Sequence, residues 1–262
     1  LTTQMLATLF DFPFADRRKL TRWSDVATAA PGSGIVESED QRRAELLECL
    51  GYFNELWHER AARPEPGNDL ISMLAHNPAT RDMVNRPMEY LGNLILLIVG
   101  GNDTTRNSLT GGVYALNRNL AEYDKLRANP DLVPNMVAEI IRWQTPLAHM
   151  RRRALVDTEL GGKTIKAGDK VVMWYVSGNR DPEAFANPDA FIIDRANARS
   201  HMSFGFGIHR CMGNRVGEMQ LRIVWEEILK RFQAVEVMGE PERTFSTFVK
   251  GYAQLPVRLI AN

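Results

Sequence analysis

The pattern of apolar and polar positions changes character near residue 146. Ahead of it the apolar positions recur at helical spacing. "DRRKLTRWSDVATAA" reads as a helix that stops at Pro31-Gly32. "EDQRRAELLECLGYFNELWHERAA" places Leu46, Cys49, Leu50, Phe53 and Trp57 on one face and ends before the loop-like "RPEPGND". A third helix is predicted from about 86 to 120, too apolar in its first part to be a surface element. "LVPNMVAEIIRW" gives a shorter helix ended by Pro146.

Beyond that point, "RRRALVDTELGGKTIKAGDKVVMWYVSGNRDP" alternates, with Gly161-Gly162 and Gly168-Asp169 where tight turns belong, so a small antiparallel sheet is expected. A helix from about 212 to 232 and a β-like tail, "FSTFVKGYAQLPVRLIA", complete the chain. Mostly helix with a minor, segregated sheet is the α+β class. No internal repeat interrupts it. The opening "LTTQMLATLF" has helical spacing from its first residue and no methionine at its start, as the middle of a longer protein would.

Charge narrows the function. Basic and acidic residues cancel, 32 against 32, so nucleic acid and anionic membrane surfaces are poor partners. The most apolar run, "YLGNLILLIVGGN", is far shorter than the roughly 20 residues that span a bilayer. No transmembrane segment and no signal peptide are expected. Two cysteines, Cys49 and Cys211, form no disulfide framework, which suggests a reducing compartment and a cytoplasmic protein. Cys49 belongs to the apolar face of its helix and reads as structural.

Cys211 is different. It lies in "SFGFGIHRCMGNRVGEMQL", where Gly205 and Gly207 permit a turn that side chains would obstruct. It falls in the first turn of the following helix or just ahead of it, where the positive helix end favours a thiolate, and His209 and Arg210 add donors or charge. Such a sulfur suits a nucleophile, a zinc ligand or an axial ligand to haem iron. Zinc is the weakest fit, since His201 and His209 make no four-ligand pattern with it. A nucleophile lacks a clear base. A structural cysteine at a helix start is the plain alternative.

The stretch Phe204 to Gly213 resembles the haem-thiolate signature of the cytochrome P450 family, with Phe204, Gly207, His209, Cys211 and Gly213 filling every constrained slot. Two further motifs follow the family's order. "EIIR" supplies Glu139 and Arg142, which elsewhere would be an ordinary surface pair. The resemblance implies a buried pair completed by Arg195, holding the core on the thiolate side of the haem. "GGNDTT" puts two glycines, Gly100 and Gly101, inside a helix at roughly 1 kcal/mol each, a choice that packing alone would not favour. Thr104 stands four residues after Gly100, so its hydroxyl reaches that carbonyl and is expected to open the helix locally. By resemblance this is the oxygen-binding groove, with Thr104 assisting oxygen activation and Asp103 relaying protons. A salt bridge that only anchors the helix is the other reading of Asp103.

The resemblance implies more. Arg152 and His209 would bind the haem propionates, and Phe204, Gly205 and Gly213 would shape the cofactor-binding loop. Leu97, Gly100, Leu147, Ala148, Met150 and Phe248 would line an apolar substrate pocket, although Phe248 reads more simply as core. The implied fold is that of the family, with a long central helix over the haem and small antiparallel sheets. Residues 1–262 correspond to a partial catalytic domain without its N-terminal part. The implied cofactors are haem b with the Cys211 thiolate, O2, and electrons ultimately from NAD(P)H. The implied partners are a ferredoxin, drawn to Arg210 and Arg215, and its reductase.

The wording of these motifs is most similar to soluble bacterial hydroxylases of the terminal carbons of medium-chain alkanes and fatty acids. Hydroxylases of sterol side chains and methyl-branched lipids share much of it. A haem-binding or gas-sensing protein is the alternative from a different class, and a helical interaction protein with incidental motifs is another.

Overall fold

A computed structural model describes all 262 residues. Its elements are helices α1 (Thr2–Phe10), α2 (Arg18–Thr28), α3 (Glu39–Ala61), α4 (Leu70–His76), α5 (Pro87–Arg118), α6 (Leu120–Ala128) and α7 (Val133–Gln144), followed by strands β1 (His149–Arg153), β2 (Thr158–Leu160), β3 (Lys163–Ile165) and β4 (Lys170–Trp174). Then come α8 (Tyr175–Gly178), α9 (Asn214–Arg231), β5 (Phe232–Val237), β6 (Glu242–Arg243), β7 (Tyr252–Gln254) and β8 (Val257–Ala261). The expected α+β, mainly helical architecture is present. Two compact units divide the chain, Leu1–Arg106 and Asn107–Asn262.

The first unit is helical. Ser38 caps α3 by accepting from the Gln41 N–H, and the Gln41 amide oxygen accepts from Glu37 N. That reciprocal arrangement satisfies donors a helix start leaves open. Asp69 caps α4 in the same way through Ser72 N at 2.9 Å. Cys49, Leu50, Phe53 and Trp57 are buried, as the α3 pattern predicts, and they join Phe10, Trp23, Tyr90, Leu94 and Ile98 in one core. Leu46 instead packs on a small separate cluster of Val26, Ala29 and Val36.

In the second unit, α7 and α9 bury Met136, Val137, Ile140, Leu221 and Trp225, together with Tyr123 and Leu126 from α6. The alternating segment forms two ladders rather than one sheet. β1 pairs with β4, His149 opposite Trp174, and β2–β3 is a separate hairpin. Gly161 and Gly162 turn that hairpin with φ of 58° and 72°, the doubly left-handed turn that matches strand twist. The tail pairs β5 with β8 and β6 with β7. Tyr175–Gly178, expected as extended chain, is a helical turn, and α4 and α6 carry no strong periodic signal.

One expectation about glycine needs correcting. A Cβ at Gly101 would lie 2.7 Å from Leu6 Cδ2, so α1 packs directly onto that backbone. Gly101 is therefore a packing glycine. Gly100 has nothing within 4 Å of the position its Cβ would take.

Candidate active site

Cys211 sits on a loop held by its own backbone. Cys211 N donates to Phe204 O at 2.8 Å, and Gly205 N donates to Met202 O at 2.8 Å. Gly205 and Gly207 adopt φ of 68° and 73°, a region costly for other residues. A side chain at Gly205 would also press on Tyr175 Oη, 3.0 Å away. Phe204 is half-buried against the second core. Helix α9 begins at Asn214 with Gly213 as its N-cap, which puts the cysteine two residues ahead of the cap.

The expected thiolate-favouring setting is only partly met. The Gly213 N–H and Arg210 pull the Cys211 thiol down, but protein packed around the sulfur outweighs them and pushes it up. The residue itself is exposed. Around it Phe206, Ile208 and Met212 are 82, 95 and 83% exposed. Three large apolar side chains this open, within seven residues of a thiol, form a surface that needs an apolar cover. No group of three or more His, Cys, Asp or Glu side chains gathers into a metal site. Arg152 is half-buried, with its Nη1 on Arg151 O at 3.0 Å, and His209 is exposed. Exposed apolar side chains and one soft donor on the same loop fit a flat porphyrin with an iron centre.

Glu139, Arg142 and Arg195 come together as expected. Arg142 Nε and Nη2 donate to the two Glu139 oxygens at 2.7 and 2.8 Å. Arg195 Nε approaches the same oxygens at 3.2 and 3.1 Å, and Ile192 N adds a bond at 3.0 Å. Glu139 and Arg142 are fully buried. This is a desolvated cluster and not a solvated helix pair. The remaining Arg142 donors hold the carbonyls of Asn179, Pro188 and Ala190.

Thr104 and Asp103 belong to the first unit. Thr104 Oγ1 donates to Gly100 O at 2.8 Å, the bond that the spacing predicts, and α5 stays helical through it. Asp103 is buried and accepts from Ser24 Oγ, Asn102 Nδ2 and Arg106 Nη2 at 3.2, 3.2 and 2.7 Å. Burial pushes its carboxyl up, Arg106 pulls it down, and Asp25 adds to the rise. The anchoring salt bridge is thus present, on a carboxyl that also holds its proton more tightly than usual.

The candidate pocket residues divide. Leu147 bridges Val249, and Ala148 N donates to Phe248 O at 2.9 Å, so these lie on one strip with Phe248 edge-on to His149. Met150 lies on β1 opposite Met173. Leu97 packs against the first core. The open apolar residue in line with Gly100 and Thr104 is Leu96, 65% exposed and one and two turns before them. The i, i+4, i+8 spacing was the signal that pointed to it. Asn179 and Ser203, described below, carried no motif of their own.

A model of the cytochrome P450 family matches residues 52–259. Among solved structures, CYP153D17 from Sphingomonas sp. PAMC 26605 is 53% identical with a TM-score of 0.89, over 98% of this chain and 64% of that one. Cytochrome P450-153 from Novosphingobium aromaticivorans is 49% identical with the same TM-score, over 98% and 62%. The linalool 8-monooxygenase of Pseudomonas putida is 37% identical over 92% of this chain and 59% of its own length. The chain therefore spans about three-fifths of the length of these relatives.

Proposed function

The chain belongs to the cytochrome P450 family, and from that membership we propose that it carries the haem-thiolate part of a monooxygenase that hydroxylates an unactivated C–H bond of a hydrophobic substrate. The observation that carries the reading is the exposure of Phe206, Ile208 and Met212 on the same loop as the exposed thiol of Cys211. Haem b, when bound, supplies the activation of O2 and the transfer of one oxygen atom to the substrate, with electrons ultimately from NAD(P)H.

The chain's own residues supply the rest. Cys211 Sγ would hold the haem iron, kept in place by the turn at Gly205 and the cap at Gly213. Arg152 and His209 pair with the propionates; neither has a carboxylate in ion-pair range that would compete. Glu139, Arg142 and Arg195 hold the core beneath the loop. Asp103 takes up a proton on its carboxyl, favoured by its burial, and Thr104 Oγ1 holds the proton it now shares with the Gly100 carbonyl. Leu96 and Leu97 in the first unit, and Leu147, Ala148, Met150 and Phe248 in the second, carry apolar side chains, which suits a hydrocarbon chain.

We assign the substrate to medium-chain alkanes or fatty acids, oxidised at the terminal carbon. The assignment rests on the motif wording and on these apolar side chains. Electrons come from a ferredoxin and its reductase. An open groove of about 270 Å³ supports this partner, lined by Arg199, Arg215 and Arg222 against the single carboxylate of Glu218, with Pro134, Val137 and Met219 beside them. It suits an acidic protein face. No helix is long and apolar enough to cross a membrane.

The test is turnover of n-octane, dodecanoic acid and a sterol by the complete protein with a ferredoxin system, in wild type and Thr104→Ala. Terminal alcohols from the first two, and oxygen consumption uncoupled from product in the variant, are expected. Sterol-only turnover would overturn the substrate assignment. Unchanged coupling would favour a haem sensor.

A further inference from the structure

Asn179 is fully buried just after α8, and every hydrogen-bonding atom of its side chain is used. Its Nδ2 donates to Thr145 Oγ1 and to Ser203 Oγ, both at 2.8 Å, with Arg142 O a longer third acceptor at 3.3 Å. Its Oδ1 accepts from Met202 N at 2.6 Å. Both hydroxyls pass their own protons on, Thr145 to Arg142 O at 2.6 Å and Ser203 to Ile141 O at 2.8 Å. Donors and acceptors therefore run in one consistent direction, which only an amide at position 179 allows.

The two ends of this network are informative. At one end, Arg142 Nη1 donates to the Asn179 backbone carbonyl at 2.7 Å, and the side-chain amide reaches Arg142 O directly and through Thr145 Oγ1, so the residue is tied to the buried Glu139–Arg142–Arg195 cluster. Thr145 there holds a left-handed φ of 45°, a strained position for a β-branched residue, and Asn179 fixes its hydroxyl. At the other end lie Met202 and Ser203. The Met202 carbonyl receives Gly205 N, and the next residue after Ser203, Phe204, receives Cys211 N. The base of the cysteine loop is held by this amide and by Ser203 Oγ on Ile141 O.

We propose that Asn179, acting through Ser203 and Met202, is the positioning residue that transmits the rigidity of the Glu139–Arg142–Arg195 cluster to the cysteine loop and so fixes where Cys211 Sγ is presented. Its consequence for haem ligation rests on the reading of Cys211 as the axial ligand; the anchoring of the loop does not.

The experiment compares Asn179→Asp, which keeps the shape and the acceptor but removes both donors, and Ser203→Ala, which removes the loop-side acceptor together with the Ser203 Oγ bond to Ile141 O. Asn117→Asp is the matched control, because Asn117 also bridges three backbone groups, Val113 O, Val235 O and Val237 N, in the same unit away from the loop. Amide exchange of Gly205 and Cys211 is measured in the complete protein before haem is added. Both test variants are expected to exchange these amides roughly tenfold faster than wild type, while Asn117→Asp leaves them unchanged. Should Asn179→Asp fail to fold, Asn179→Ala, which leaves the Ser203 bond to Ile141 O in place, takes its part. With haem bound, the test variants are also expected to lose part of the thiolate-type Soret band and to shift the reduction potential. Loop exchange that is unchanged, or that rises equally in the control, overturns the proposal. Faster loop exchange in a protein whose wild type never gives a thiolate-type band leaves Asn179 as the loop anchor and removes the haem reading instead.

Discussion

Arg142 grips Glu139 with two parallel hydrogen bonds, 2.7 and 2.8 Å, and neither side chain is exposed to solvent at all. Three residues apart on a helix surface, such a pair would contribute a few tenths of a kcal/mol. Here Arg195 and the Ile192 N–H complete the carboxylate, so removing its charge strands two guanidiniums in the interior. Glu139→Gln is expected to lower the unfolding free energy by about 3–5 kcal/mol in urea titration. Glu236→Gln, at the exposed pair with Arg258, is expected to change it by less than about 0.5 kcal/mol. Equal effects at the two sites would show that the cluster is not desolvated.

Two glycines of α5 give opposite expectations. Gly100 faces open space, so Gly100→Ala gains helix propensity and is expected to stabilise by up to about 1 kcal/mol. A Cβ at Gly111 would overlap the Gln144 side chain, whose Oε1 accepts from Tyr252 Oη and whose Nε2 donates to Lys250 O. Gly111→Ala is expected to destabilise by about 1–3 kcal/mol. Thermal unfolding of both variants checks the sign. A stabilising Gly111→Ala would contradict the packing described for that position.

His201 ties stability to acid pH. Burial, and then Arg142, Arg210 and Arg199 around it, push its pKa down to about 4. The unfolded chain therefore binds a proton the folded chain refuses. The stability this histidine provides is complete above its unfolded value of about 6.5 and is lost as pH falls towards 4. The loss is on the order of 3 kcal/mol. His201→Gln is expected to flatten the curve of stability against pH between 6.5 and 4. An unchanged slope in that window would show that another group carries the acid limb.

Asp103 has the reverse sign. Its carboxyl is raised by burial, so its contribution is present below the unfolded carboxylate range and is lost as pH rises through its folded value. Asp103→Asn keeps the shape and removes the buried charge. Its stability relative to wild type is expected to improve with rising pH, while coupling of oxygen consumption to product falls. A variant that loses stability at neutral pH and keeps full coupling would make Asp103 only the anchor of its salt bridge to Arg106.

Local signals were legible in the sequence because each depends on near neighbours. The α3 face, the Gly161-Gly162 turn, the Thr104-to-Gly100 bond and the Glu-x-x-Arg pair all follow from spacing alone. The features that escaped depend on distant chain. Gly101 is a glycine because Leu6, 95 positions earlier, packs against it. Asn179 carries no signal of its own in "SGNRDP", and only the fold brings Thr145 and Ser203 to its amide. Leu96 and Leu97 both lie near the Thr104 face, and only the packing of Leu97 against the first core separates them.

The central claim is a bond between Cys211 Sγ and haem iron. Its most direct measurement is the carbon-monoxide difference spectrum of the reduced, complete protein, recorded for wild type and for Cys211→Ser. A thiolate-type Soret band in the wild type that vanishes in the variant is expected. A band that survives the loss of the sulfur, or a wild type that never shows one, would contradict the assignment.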